Sequence, residues 1–75
     1  MNDYVTLYEI ETQTPNGFWE RTKKIPTNKF FSSMFKAQQW ALKNYPNGNW
    51  RMVSNSLSLS QYEKLKQKHN FQWVS

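Results

Sequence analysis

The tripeptide Pro-Asn-Gly occurs twice, at residues 15–17 and 46–48, and each copy interrupts a patterned segment. Proline has no amide proton to donate and disfavours helical backbone in the residue before it, while Asn-Gly accepts the positive φ angles of a tight turn. A chain of 75 residues punctuated in this way is limited to short elements around one small core, a single domain over residues 1–75. Three residues are too short a match to define an internal repeat.

Ahead of the first turn, "YVTLYEIETQT" is rich in β-branched and aromatic residues and alternates in polarity, and "FWERTKKI" resumes after it. This predicts a β-hairpin. A two-residue turn on Asn16-Gly17 sets Glu9 against Lys24 and Tyr8 against Ile25. One face then carries Tyr8, Ile10, Trp19 and Ile25 with Arg21 and Lys23 and covers the core, and the other carries Glu9, Glu11, Glu20, Thr22 and Lys24. Val5 and Leu7 fall on the polar side. A three-residue turn that includes Pro15 shifts the pairing by one and reverses the facing.

Pro26 ends the second strand at Ile25, and "PTNKFF" reads as a connection. Ser32 or Ser33 can cap a helix over "MFKAQQWALKNY", which Pro46 stops. Its apolar side spreads over Met34, Phe35, Ala37, Trp40, Ala41, Leu42 and Tyr45, with Lys36, Gln39 and Lys43 opposite, facing water. After the second Pro-Asn-Gly, "NWRMVS" alternates as a third strand. Ser58 with Gln61, or Ser60 with Glu63, has capping-box spacing for a second helix, on which Tyr62, Leu65 and His69 share a face. "FQWV" can add a short strand or pack Phe71 and Trp73 onto the body. The predicted architecture is α+β: a small antiparallel or mixed three-stranded sheet with two helices packed on one face, in the order β-β-α-β-α, with a possible C-terminal strand.

Leu, Ile, Val and Phe number fifteen and aromatic residues thirteen, so the interior must draw heavily on rings. With no cysteine, neither disulfides nor thiolate metal sites can supplement the core, and a reducing cytoplasm is the expected compartment. No apolar run approaches membrane-spanning length, and no membrane partner is expected. The net charge of +5 divides unevenly: residues 1–20 hold four acids and no Lys or Arg, a balance of −4, and residues 21–75 hold all ten Lys and Arg with Glu63, a balance of +9. Such asymmetry implies either internal matching of charge or a basic surface with a polyanionic partner.

Acid–base catalysis needs two titratable groups brought together, and the chain offers one histidine, His69, with Asp3 near its start and Glu9 and Glu11 on a strand. No phosphate loop, nucleophile elbow or metal-spaced histidine pair is present, so no catalytic residue, metal or cofactor is expected. Nucleic-acid binding requires only positive charge along a phosphate path and flat side chains for stacking. Arg21, Lys23 and Lys24 on strand two, Arg51 on strand three, and Lys64, Lys66 and Lys68 on the last helix supply the charge. Trp19, Trp50 and Trp73 are interleaved with them, each available either to the core or to a ligand. The predicted partner is RNA or single-stranded DNA, or a complex containing them, with a monomer and a homodimer both open. The same residues could dock on an acidic protein surface.

The element "KAQQWALKNYPNGNWRMVS", a helix, a turn and a strand in a Cys-free domain rich in Lys, Asn and aromatics, is similar to small bacteriophage accessory proteins. The resemblance implies a protein that modulates or inhibits host machinery, defences included, in a bacterial cytoplasm. It carries over no functional residue.

Overall fold

A computed structural model describes residues 3–74 and leaves the side chain of His69 outside the described set, so its expected place on the second helix's packed face lies outside it too. The elements are β1 (Tyr4–Gln13), β2 (Trp19–Arg21), β3 (Lys29–Phe30), α1 (Met34–Asn44), β4 (Trp50–Ser58), α2 (Leu59–His69) and β5 (Gln72–Trp73). β1 is central in an antiparallel sheet ordered β2-β1-β4, and β3 and β5 form a parallel pair. A bridge between Tyr8 and Phe31 joins that pair to the same edge of β1 that β2 occupies further along. The α+β class and the expected order hold, with two short strands added: β3 inside the predicted connection, and β5 from the "FQWV" tail.

Both Pro-Asn-Gly segments make the same turn. Gly17 N–H donates to Thr14 O at 2.9 Å and Gly48 N–H to Tyr45 O at 3.0 Å, with proline second in each turn. The glycines sit at φ 89° and 77°, where a Cβ would be strained. In the hairpin, Thr14 N–H also donates to Phe18 O at 2.7 Å, closing a three-residue loop of Pro15, Asn16 and Gly17.

That extra loop residue corrects the register built on Asn16-Gly17. Arg21 pairs with Glu11 and Trp19 with Gln13, so Trp19 and Arg21 lie on the side of Glu9 and Glu11, away from Ile10. Thr22 comes to the Ile10 side and is only 2% exposed. β2 ends at Arg21 rather than Ile25 because the Thr22 hydroxyl accepts the Lys24 N–H at 3.2 Å, a local turn that competes with the ladder.

The two helices cover opposite faces rather than the single face predicted. Strand alternation puts Ile10 and Met52 on one face, where Ala37 and Ala41 of α1 meet them in a core with Phe31 and Ile25. The two alanines, fully buried, let α1 approach the sheet closely. Trp40, Tyr45, Trp50 and Met52 wall this core, half-buried. Only Ala37 and Ala41 of α1 are buried, so the broad apolar arc narrows: Met34, Phe35 and Leu42 are 60%, 66% and 54% exposed. Ser33, one of the two predicted caps, accepts the Lys36 N–H at 3.4 Å.

The other face is covered at its far end by α2. Ser58 closes β4 and caps α2 in the same residue, accepting from Gln61 N–H at 3.3 Å and donating its own N–H to Gln61 Oε1 at 3.0 Å. With no loop between them, α2 folds back over Leu7, Leu57 and Phe30, with Leu65 beside them. Phe30 stacks on Phe71 at 5.4 Å, and Tyr62 meets Phe71 edge-on at 5.6 Å. Val5 and Leu7 therefore lie on a face that is half polar ladder and half helix-covered.

Candidate functional site

The predicted cations fall into two groups. On the half of the α2 face that the helix leaves open, Arg21 Nε meets Glu9 Oε1 at 2.9 Å, and Arg51 donates through Nε and Nη2 to Glu11 Oε1, both at 2.7 Å. Asn55 adds a hydrogen bond to Glu9 Oε2 at 2.9 Å. Arg21 also donates to the Pro26 carbonyl at 3.0 Å and to the Lys29 carbonyl, and lies 4.9 Å from the centre of the Phe30 ring. Trp19 is half-buried under the Arg51 guanidinium, 4.8 Å away. This is the internal matching of charge that the asymmetric sequence allowed: the acids of β1 neutralise the arginines of its two neighbours. Glu20 lies on the α1 face, directly across from Thr12, and is exposed.

The lysines remain outside this lattice. Lys23, Lys64 and Lys68 are exposed, and no ion pair involving them occurs among the described residues. Lys66 lies 4.0 Å from Glu63 and over the Tyr62 ring at 5.1 Å. Lys24 sits 4.6 Å from the centre of Tyr45 and donates to the Asn44 carbonyl at 3.4 Å, serving the C-terminus of α1. Trp50 packs against the core, and Trp73 is 38% exposed beside Tyr62. The α2 lysines and the arginine lattice are thus on the same face, and Lys24 lies with α1 on the other. The structure does not bring the predicted set together.

It assembles instead a site from residues of α1 predicted to face water or to lie on its apolar side, joined by Phe31 from the expected connection and Val74 from the tail. Beside α1, a cleft of about 290 Å³ is lined by Phe31, Phe35, Trp40 and Val74 with Lys36, Gln39 and Lys43. Phe31 and Trp40 form its tilted aromatic wall, ring centres 5.9 Å apart. Lys36 and Lys43 are two helical turns apart, and Gln39 lies between them with its amide available as donor and acceptor. Among the described residues, no carboxylate lines the cleft. A second groove of about 460 Å³ between α2 and the sheet is lined by Glu9 and, among the described residues, by no lysine.

The i, i+3, i+7 spacing of Lys36, Gln39 and Lys43 was visible in the sequence; Phe31 and Val74, which close the cleft, reach it only through the Tyr8–Phe31 bridge and a Val74 N–H to Phe30 O bond of 2.8 Å. Among the described residues, no group of three or more His, Cys, Asp or Glu could hold a metal ion, and no helix is long and apolar enough to cross a membrane. No family model, curated protein or solved structure matches the chain.

Proposed function

We propose that the protein is a non-enzymatic module that binds single-stranded nucleic acid, RNA or DNA, along the outer side of α1. The observation that carries this is the lining of the α1 cleft: aromatic rings, two lysines and an amide, with no carboxylate among the described residues. Rings stack on bases whatever their identity, and lysines reach phosphates without reading sequence, so the predicted binding is general and sensitive to salt. Lys24, at the C-terminal end of α1, extends the basic track. The arginines are excluded from this role because each already holds a carboxylate.

The test is fluorescence anisotropy with a labelled single-stranded oligonucleotide over a series of salt concentrations. Replacing Lys36 and Lys43 by Ala should reduce the slope of log affinity against log salt by about 1.4, the share of two phosphate contacts on a single strand. Phe35→Ala, at a ring that is 66% exposed, should weaken binding about tenfold with the fold intact. Arg51→Ala should leave affinity within about twofold. Absence of any complex at low salt removes the proposal.

One observation favours the rival reading, a phage-type accessory protein that docks on an acidic host protein. Met34, Phe35 and Leu42 are exposed on α1 next to Lys36 and Lys43, an apolar strip with a basic rim. Pull-down from a bacterial lysate with and without nuclease separates the two: a protein retained after nuclease and lost with Phe35→Ala supports docking, and loss of all partners on nuclease treatment supports nucleic acid.

A further inference from the structure

We infer that β4 pairs with β4 of a second copy, antiparallel about Ser54, to make one continuous sheet across a dimer. β4 is nine residues long, is paired with β1 along its entire length without a bulge, and forms an outer edge of its sheet. Along β1, Tyr8 exchanges two backbone hydrogen bonds with Phe31, and Ile10 O accepts from Thr22 N–H. Alternation in an antiparallel ladder then directs the amides of Leu7, Glu9 and Glu11 toward β4, where Asn55, Val53 and Arg51 answer them. The N–H and C=O groups of Met52, Ser54 and Ser56 therefore point away from β1. Among the described residues, no backbone bond from outside the sheet reaches them. Ser58 N–H, next in the row, is taken by Gln61, which closes the open stretch at its end.

Natural sheets blunt such edges with short strands, proline, lysine or bulges. The molecule's other strand edges follow that rule, since β2 has three residues and β5 two. β4 follows none of it: it contains no proline or lysine, Arg51 is its one charged residue, and its centre is the exposed small triplet Ser54-Asn55-Ser56. The strand is also complementary to itself. With Ser54 opposite Ser54 of the second copy, Met52 faces Ser56 and Arg51 faces Leu57, so no like charges oppose one another. About six backbone hydrogen bonds join the copies. The helices fit the same symmetry, because α1 covers one face at the Met52 end and α2 the opposite face at the Leu57 end. An axis through Ser54 sets each helix beside the half-face that the other copy leaves open. An unrelated extended peptide would find the same amides without this match.

Sedimentation equilibrium from micromolar to millimolar protein, without nucleic acid, should give the mass of two chains. Ser54→Lys sets two ammonium groups across the axis and should shift the protein to monomer with an unchanged circular dichroism spectrum. The chain has no cysteine of its own, so single-cysteine variants report the register. Under mild oxidation Ser54→Cys should form a disulfide dimer, since a hydrogen-bonded pair has Cα atoms about 5.5 Å apart, inside the disulfide range. Ser56→Cys should not, since its two copies are offset by about 13 Å along the strands. A monomeric wild type, a dimer that survives Ser54→Lys, or cross-linking through Ser56→Cys in place of Ser54→Cys overturns the inference. None of these outcomes bears on the α1 cleft, whose lysines lie on another element.

Discussion

Arg51 holds Glu11 through Nε and Nη2, both 2.7 Å from the same carboxylate oxygen, while its guanidinium lies over Trp19 at 4.8 Å. One side chain thus ties β4 to β1 and, across β1, to β2. The Arg51 side chain is 51% exposed, so solvent screens the pair, and the contribution belongs with surface ion pairs. Arg51→Ala should cost about 0.5–1 kcal/mol in urea unfolding, with the cation–ring contact included.

Arg21 should behave differently although its charge and strand setting look alike. Its side chain is 21% exposed, and it combines Glu9, the carbonyls of Pro26 and Lys29, and the Phe30 ring. Removing it leaves the partly buried Glu9 carboxylate with only its bond from Asn55 and takes from the Lys29 carbonyl its Arg21 donor, while the Pro26 carbonyl keeps the Lys29 N–H at 3.0 Å. Arg21→Ala should cost about 2–3 kcal/mol, read as a lower urea midpoint at unchanged slope. Equal losses for the two arginines would contradict the assigned roles.

Which parts of this were legible depends on how far each signal reaches along the chain. The Ser33 cap, the Ser58–Gln61 capping box and both Pro-Asn-Gly turns are local, and the residues that make them are neighbours in sequence. The facing of Trp19, Arg21 and Thr22 hinged on whether Pro15 joined the loop, and Pro-Asn-Gly permits both lengths. That single residue decided whether Arg21 meets Glu9 or turns to the α1 side, so a basic strand surface could be expected where a neutral lattice exists. Val5 and Leu7, apolar on a nominally polar face, carried the sign that α2 covers that face. The α1 cleft was illegible because Phe31 and Val74 reach it through non-local pairing.

Ser58 tests the junction at which β4 becomes α2 without a loop. Its hydroxyl accepts from Gln61 N–H, and its own N–H is held in return by the Gln61 side chain. Ser58→Ala should cost about 1 kcal/mol. The loss should be local before it is global, with faster amide hydrogen exchange in the first turn of α2 than in α1. Uniform acceleration across both helices would indicate that the cap stabilises the whole fold instead.

The hairpin offers the sharpest test of how the sheet's facing is set. Thr14 pairs with Phe18 through a 2.7 Å bond from N–H to O, and the three residues between them form the loop. Deleting Pro15 leaves Asn16-Gly17, a preferred two-residue hairpin loop, between the same two partners. Glu11 then still meets Arg21, and Thr22 still enters the core. The deletion should therefore change stability by less than about 1 kcal/mol, a shift of the melting temperature by no more than about 4–8 °C in a domain of this size. Deleting Gln13 instead shortens β1 itself, and every residue before the gap must turn to the other face or lose its place opposite β2. That variant should lose cooperative unfolding, because Ile10, completely buried beneath α1, and Glu9, paired with Arg21, cannot both keep their partners. The comparison separates loop length from strand parity: if the Pro15 deletion unfolds the protein as readily as the Gln13 deletion, then the loop, and not the alternation of β1, fixes the facing.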